Sequence, residues 1–326
     1  MFQPQAKIIA DSVNPCGDRL TTFVLTYHRL VHSEFLTHRM LSKNSSSSRA
    51  IPVEKMIAKV IEDNVFPLEF GKNQKGMTAK ESVDDAAIAA SMKTWQKARL
   101  DAIDHAWALH KQGVHKQVVN RLLEPFSSIT VICTATEYQN FFAQRCHPDA
   151  QPEIQALAIA MREAYEASEP DQLEDGDWHI PFLGEDEKND DGEFVASEAE
   201  LQWHKNLIGK VTDNDFIKIA TGRCARVSYL NHDGIRNIQD DIKLHDRLLS
   251  SKPPHLSPFE HCAMALGESE ARANFVGFES YRYQLEHNYE PTEAEIAILS
   301  ATEEEILQMQ SRFKDISIET LPRRKR

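Results

Sequence analysis

Residues 19 to 27, R-L-T-T-F-V-L-T-Y, are β-branched and aromatic and alternate with a period of two. That period places Thr21, Phe23, Leu25 and Tyr27 on one face of a β-strand. The spacing then changes. Leu30, Val31 and Phe35 recur at helical intervals, which predicts a helix over roughly 28 to 41 with Glu34 and His38 one turn apart on the same face. A strand feeding a helix therefore delivers T-H-R-M-L-S-K-N-S-S-S-S-R, residues 37 to 49, at the helix C-terminus. His38, Arg39 and Arg49 supply positive charge, and Ser45, Ser46, Ser47 and Ser48 supply short donors beside backbone N–H groups. Planar guanidinium forks with small hydroxyls suit a phosphate. A bare serine run reads as a solvated linker; the flanking cations make a ligand-binding loop the better expectation here.

The remaining pattern alternates strands and helices. Residues 7 to 11 read as a short strand, 14 to 18 as a turn, and 127 to 133 (S-S-I-T-V-I-C) as a strand. The longest helix is expected over 82 to 111, with Ser82 and Asp85 as a capping box and Ile88, Met92, Trp95, Ile103 and Trp107 as a buried stripe. Further helices are expected over 114 to 123, over E-Y-Q-N-F-F-A-Q-R after a Thr134–Glu137 capping box, and over 152 to 168, 213 to 226 and 238 to 250. Residues 169 to 195 are acidic around the apolar island W-H-I-P-F-L. H-L-S-P-F-E-H at 255 to 261 leads toward another strand, and 292 to 315 reads as peripheral helix. The fold class is α/β (α+β): a small mixed or antiparallel sheet wrapped by helices.

At 326 residues the chain can bury a large core. A net charge of −13 opposes a nucleic-acid-coating surface, which needs excess cations. The basic tail P-R-R-K-R is short, and a solvated end is the plainer reading. No run reaches the length of a membrane span and the N-terminus lacks a signal-peptide core, so the expected location is the cytoplasm. The five cysteines lack metal-ligand spacing, so reduced thiols and no metal centre are expected.

Several pieces together resemble the flavin-dependent thymidylate synthase family. Its Arg-His-Arg, seven residues, then Ser signature corresponds to Thr37-His38-Arg39 and Ser47, with Ser42, Asn44 and Arg49 completing the loop. R-L-L-E-P at 121 to 125 is similar to the family's R-x-x-L-P, and N-F-F-A-Q-R-C-H-P-D-A-Q-P-E-I at 140 to 154 to its helix break. C-A-R-V-S-Y (224 to 229) and H-L-S-P-F-E-H match two more motifs. Those two normally precede the signature and here follow it, so a circular permutation of one elaborated domain, 1–326, is expected. Residues 53–115 (helical insertion), 169–212 (acidic loop insertion) and 288–326 (C-terminal helical extension) are additions to the pattern.

The resemblance implies C5 methylation of a deoxypyrimidine monophosphate, dUMP to dTMP, with FAD, NADPH and 5,10-methylenetetrahydrofolate, in a homotetramer with sites between subunits. It implies that Ser47, Ser48 and Arg49 hold the phosphate, with Arg121 reaching it from a neighbouring subunit, and that Arg145 contacts the pyrimidine. His38, Arg39, Asn44, Asn140, Gln151 and His261 are then the flavin or folate contacts, with His38, Arg39 and Arg145 in the catalytic set. As ordinary surface cations, Arg121 and Arg145 would instead pair with Glu124 and Asp149, and His261 would be a core histidine. Thr37, Ser45 and Ala50 depart from the family pattern, and Asp149 stands where the family often has a His. These departures leave three alternatives: a hydroxymethyl product, dCMP as substrate, or an inactive nucleotide-binding homologue.

Overall fold

The computed structural model describes residues 2–183, 213–229 and 238–288. Met1–Leu285 form one compact unit and Glu286–Arg326 a second; the account below concerns the first. Its centre is a five-stranded sheet in the order β3-β4-β2-β1-β5. The strands are β1 (Gln5–Val13), β2 (Arg19–His28), β3 (Ser42–Ser45), β4 (Ser128–Ala135) and β5 (Asp171–Gln172). All neighbours are antiparallel except β1 and β5.

The alternation expected of residues 19 to 27 holds. Phe23, Leu25 and Tyr27 pair across β4 with Cys133, Val131 and Ile129, giving one wholly apolar face. Helices α5 (Gln139–Arg145) and α6 (Pro152–Ala167) close that face through Phe141, Ile154, Leu157 and Met161. The other face presents Val24 and Ile132 to Phe182, Cys224 and Val227. Every residue of β4 is buried, because it lies between layers on both faces. This is a mixed α/β fold with helices on a small, mainly antiparallel sheet, as the sequence implied.

Beneath the second face lie α7 (Asp213–Arg226) and α8 (Ile238–Leu249). Gly222 lets them meet closely: a Cβ there would lie 2.4 Å from the carbonyl oxygen of Asp241. A second sheet joins β6 (Trp178–His179) to β7 (Ala263–Ala265), the strand expected after 255 to 261.

Several boundaries differ from expectation. The helix expected over 28 to 41 shrinks to a 3₁₀ turn, Arg29–Val31, and α1 (His32–Leu36), so His38 falls in the following turn and shares no helical face with Glu34. Only Ser45 of the serine run is strand, since β3 ends there. The helix expected over 114 to 123 is α4 (Lys116–Val119) followed by a 3₁₀ turn, Asn120–Phe126. Thr134 caps no helix. It lies in β4, and its hydroxyl meets Thr22 Oγ1 and His261 Nδ1, both at 2.8 Å.

Residues 53 to 115 contribute α2 (Val53–Asp63) and α3 (Asp85–Lys111). Asp84, not Ser82, caps α3 by accepting from the Ala87 N–H at 2.8 Å. Only the C-terminal half of α3 is buried as deeply as expected, at Arg99, Ile103 and Ala106. With α2 and α4 it makes a satellite core of Val53, Met56, Ile57, Val60, Ile103, Val119 and Leu123. That core anchors the turn carrying Arg121. All five cysteines are free thiols. Among the described residues no helix is long and apolar enough to cross a membrane. The expected helix over 292 to 315 lies outside the described residues.

Candidate functional site

The alternation of β3 divides the signature in two. Ser42 and Asn44 are buried against the second face. The Ser42 hydroxyl donates to Glu260 Oε1 at 2.6 Å, and the Asn44 amide donates to the Cys224 carbonyl at 3.0 Å. Ser228 Oγ donates to Asn44 Oδ1 at 3.4 Å, and the Ser47 N–H donates to the Ser228 carbonyl at 3.0 Å. Segments 224 to 229 and 255 to 261, distant in sequence, thus dock directly beneath the loop.

Lys43 and Ser45 point the opposite way. The Lys43 ammonium donates to the carbonyls of His38 and of Leu41 (2.6 Å) and sits 5.5 Å above the Phe35 ring. It ties together the turn that replaces the end of the expected helix. Ser45 Oγ is 3.5 Å from His32 Nε2, and His32 Nδ1 is 2.7 Å from the Tyr27 hydroxyl. Burial first, then Arg29 and Lys43, push the His32 pKa down to about 4. A neutral His32 takes the Tyr27 proton at Nδ1 and turns its own Nε2–H toward Ser45, which leaves the Ser45 hydroxyl hydrogen free to donate.

His38 meets Arg145, the last residue of α5. Arg145 Nε donates to His38 Nε2 at 2.9 Å, and Phe141 backs the imidazole edge-on at 4.9 Å. A guanidinium can only donate, so His38 Nε2 must carry its lone pair and the imidazole must be neutral. Burial, then Arg145 and Lys43, hold the His38 pKa at about 4, in agreement with that geometry. The terminal amino groups of Arg145 have no hydrogen bond or ion pair among the described residues, so four N–H donors remain for a ligand. Arg145 does not pair with Asp149, which faces His147 at 3.8 Å.

The serine loop ends on a carboxylate. Glu124 Oε1 accepts from Ser48 Oγ at 2.6 Å, from Arg121 at 2.7 Å and from Arg29 at 2.8 Å. Asn120 fixes the same loop by donating to the carbonyls of Ser48 (2.7 Å) and Ile51 (2.9 Å). Within this chain Arg121 pairs with Glu124, the carboxylate that also accepts from Ser48.

The other expected residues are placed unevenly. Arg39 and Arg49 are exposed, with no ion pair among the described residues. Asn140 is exposed on the first turn of α5. Gln151, at the start of α6, donates to Glu153 Oε2 at 2.9 Å. Asn44 and His261, expected as cofactor contacts, are both buried within this chain. The Asn44 side chain is spent on Cys224 and Ser228, and His261 is wholly buried, with Nδ1 on Thr134 and no partner for Nε2. Within this chain His261 is a core histidine. His179, in the apolar island, is also buried, between Ser12 at 2.9 Å and Thr22 at 2.8 Å.

Three residues of this arrangement, Arg29, His32 and Lys43, are not motif positions, while Glu124 lies within R-L-L-E-P. The signal for them was local charge. Between residues 28 and 49 the chain carries Arg29, Arg39, Lys43 and Arg49 against one carboxylate, Glu34, although the whole protein is strongly acidic. Of these, Lys43 lies against the His38 carbonyl and Arg29 against Glu124.

Residues 20–171, from β2 through α6, match the family model described as thymidylate synthase complementing protein, Thy1. That segment, just under half of the chain, is similar to this family. It contains the serine loop, Arg121, His38 and Arg145, whereas segments 224 to 229 and 255 to 261 lie beyond it. Among solved structures, a UMP/dUMP methylase PolB from Streptomyces cacaoi bound with 5-Br dUMP is 12% identical. The match covers 51% of this chain and 90% of that one, with a TM-score of 0.43. The same methylase bound with 5-Br UMP matches at 13% identity over 51% and 89% of the two chains, with a TM-score of 0.41. No curated protein matches the chain.

Proposed function

We propose that the protein methylates a deoxypyrimidine monophosphate at C5, converting dUMP to dTMP with FAD, NADPH and 5,10-methylenetetrahydrofolate. The observation that carries this reading is the Arg145 guanidinium, held through Nε by a neutral His38 with its other donors free. A fixed guanidinium donating to a pyrimidine carbonyl draws electron density from the ring and stabilises the charge that develops during attack at C6. The groups assigned to the ligand are donors: Arg145, Arg39, Arg49 and the Ser45 hydroxyl. They match the carbonyl and phosphate oxygens of a uracil nucleotide.

In this reading Ser47, Ser48 and Arg49, with Arg121, take the 5′-phosphate through charge-assisted hydrogen bonds. His38, Arg39, Asn140 and Gln151 are the residues able to line a flavin, whose ring carbonyls and pyrophosphate are acceptors for such donors. Asn44 and His261 do not fit that task, because one is internally paired and the other buried. When bound, reduced FAD supplies the hydride, the folate the one-carbon unit and NADPH the reducing equivalents. The protein's part is to orient and to polarise.

Assembly of a homo-oligomer belongs to the same proposal, since Leu36 and Met40 are half-exposed apolar neighbours of Arg39. The test is the mass of the product formed from dUMP, FAD, NADPH and methylenetetrahydrofolate. A gain of one methyl group supports the reading. Nucleotide binding without NADPH oxidation, or a hydroxymethyl product, contradicts it.

A further inference from the structure

Two of the donors assigned above to the phosphate, Ser48 and Arg121, already hold an anion together with Arg29. Ser48 Oγ, Arg121 and Arg29 converge on one oxygen, Glu124 Oε1, within 2.6 to 2.8 Å. Burial and then Arg121 lower the pKa of Arg29 while Glu124 raises it, so the carboxylate offsets the repulsion between the two guanidinium groups. The local fold builds this contact. In the 3₁₀ turn Asn120–Phe126, side chains three apart eclipse, which stacks Arg121 over Glu124. Ser127 then ties the turn to the strand ends: its N–H donates to the Glu124 carbonyl at 3.3 Å, and its carbonyl accepts from the Arg29 N–H at 3.0 Å.

We propose that Glu124 is the internal occupant of the anion seat, so that a phosphate ester enters only by exchanging with its carboxylate. This rests on the reading that Ser48 and Arg121 serve the phosphate, and it adds a specificity consequence. A phosphate dianion and the carboxylate cannot share Oε1's three donors, because the like charges would lie within contact distance. The seat is therefore open to ligand only in the fraction of molecules whose Glu124 has swung out, and apparent affinity is reduced by that fraction. The Glu124 carboxylate is 22% exposed and Arg121 is 53% exposed, so the exchange needs no core rearrangement. Ligands without a phosphate escape this competition, so the seat weakens nucleotides relative to nucleosides.

Glu124→Gln and Glu124→Ala separate this role from that of a prop holding the arginines. Gln keeps the shape and one acceptor oxygen but removes the charge. Calorimetric titration of each full-length variant with dUMP, deoxyuridine and inorganic phosphate is the measurement. Both variants should bind dUMP and inorganic phosphate about tenfold more tightly than the native chain, with deoxyuridine affinity unchanged, as for a seat open about one-tenth of the time. Added inorganic phosphate should also raise the Tm of Glu124→Gln more than that of the native chain, because the ligand then supplies the missing anion. Equal or weaker dUMP and phosphate binding in both variants would overturn the proposal in favour of the prop. If dUMP binds no variant, the functional reading fails, while the inorganic phosphate titration and the Tm shift still decide the role of Glu124.

Discussion

Arg145 and His38 are 107 residues apart in sequence and share one proton across 2.9 Å, with the guanidinium as donor and the imidazole as acceptor. The pair works only while His38 is neutral. Its depressed pKa ensures that at physiological pH, and frees the remaining edge of Arg145 for a ligand.

Arg145→Ala removes a charged donor that no neighbour replaces. A hydrogen bond to a charged group contributes about 1.5–3 kcal/mol, so dUMP affinity should fall by roughly 10- to 150-fold. Arg145→Lys should not recover it, since an ammonium has no fork. Titration calorimetry at pH 7.5 checks both variants.

Lys43→Met keeps the stem over Phe35 and removes the charge near His38 and His32. The midpoint of His38, about 4 in the native chain, should rise toward the ordinary value near 6.5. The groups facing His38 are Arg145 and Lys43, and those facing His32 are Arg29, Lys43 and Glu124, so loss of Lys43 acts on both rings. Histidine proton resonances followed from pH 3.5 to 8 give the two midpoints directly.

Acid should destabilise the fold earlier than its carboxylates alone require. His32 and His38 are depressed to about 4, chiefly by burial, and His179 and His261 to about 3. Each binds its proton more readily when unfolded. The stability they contribute is complete above about 6.5 and is lost as pH falls through that value toward the folded midpoints. His179 and His261, wholly buried, each add up to about 1.4 kcal/mol per pH unit within the window. Urea midpoints at pH 7, 6, 5 and 4.5 should decline steadily, and His179→Gln should flatten the slope.

Asp241 is wholly buried and accepts from both Arg223 (3.2 Å) and Arg226. Asp241→Ala leaves two cations beside an empty site, and breaking one side of a buried pair costs about 3–5 kcal/mol. An unfolding free energy lowered by that amount, read from urea titration, is the expected outcome. A change below 1 kcal/mol would mean that water reaches these helices.

The sheet was legible because its strands obey a simple period. Phe23, Leu25 and Tyr27 announced both the strand and its buried face, and the all-apolar core of β4 did the same. Helix limits were less legible where tertiary contacts intervene. Nothing local shows that Lys43 will reach back to the carbonyls of His38 and Leu41 and end α1 at Leu36, or that Thr134 will turn its hydroxyl to Thr22 and His261 instead of capping a helix. The site was legible as motif letters, but not as contacts. Asn44 and Lys43 are adjacent in sequence, yet β-pleating sends one to the scaffold and the other to the cationic side. Glu124 is a conspicuous charge only after Ser48, Arg29 and Arg121 are seen around it.

The most direct measurement is the visible absorbance spectrum of the purified protein with FAD, before and after adding dUMP. The proposed function predicts a bound flavin whose bands shift when the nucleotide stacks beside it, and loss of that shift in Arg145→Ala. A spectrum identical to free FAD, unchanged by dUMP, would contradict it.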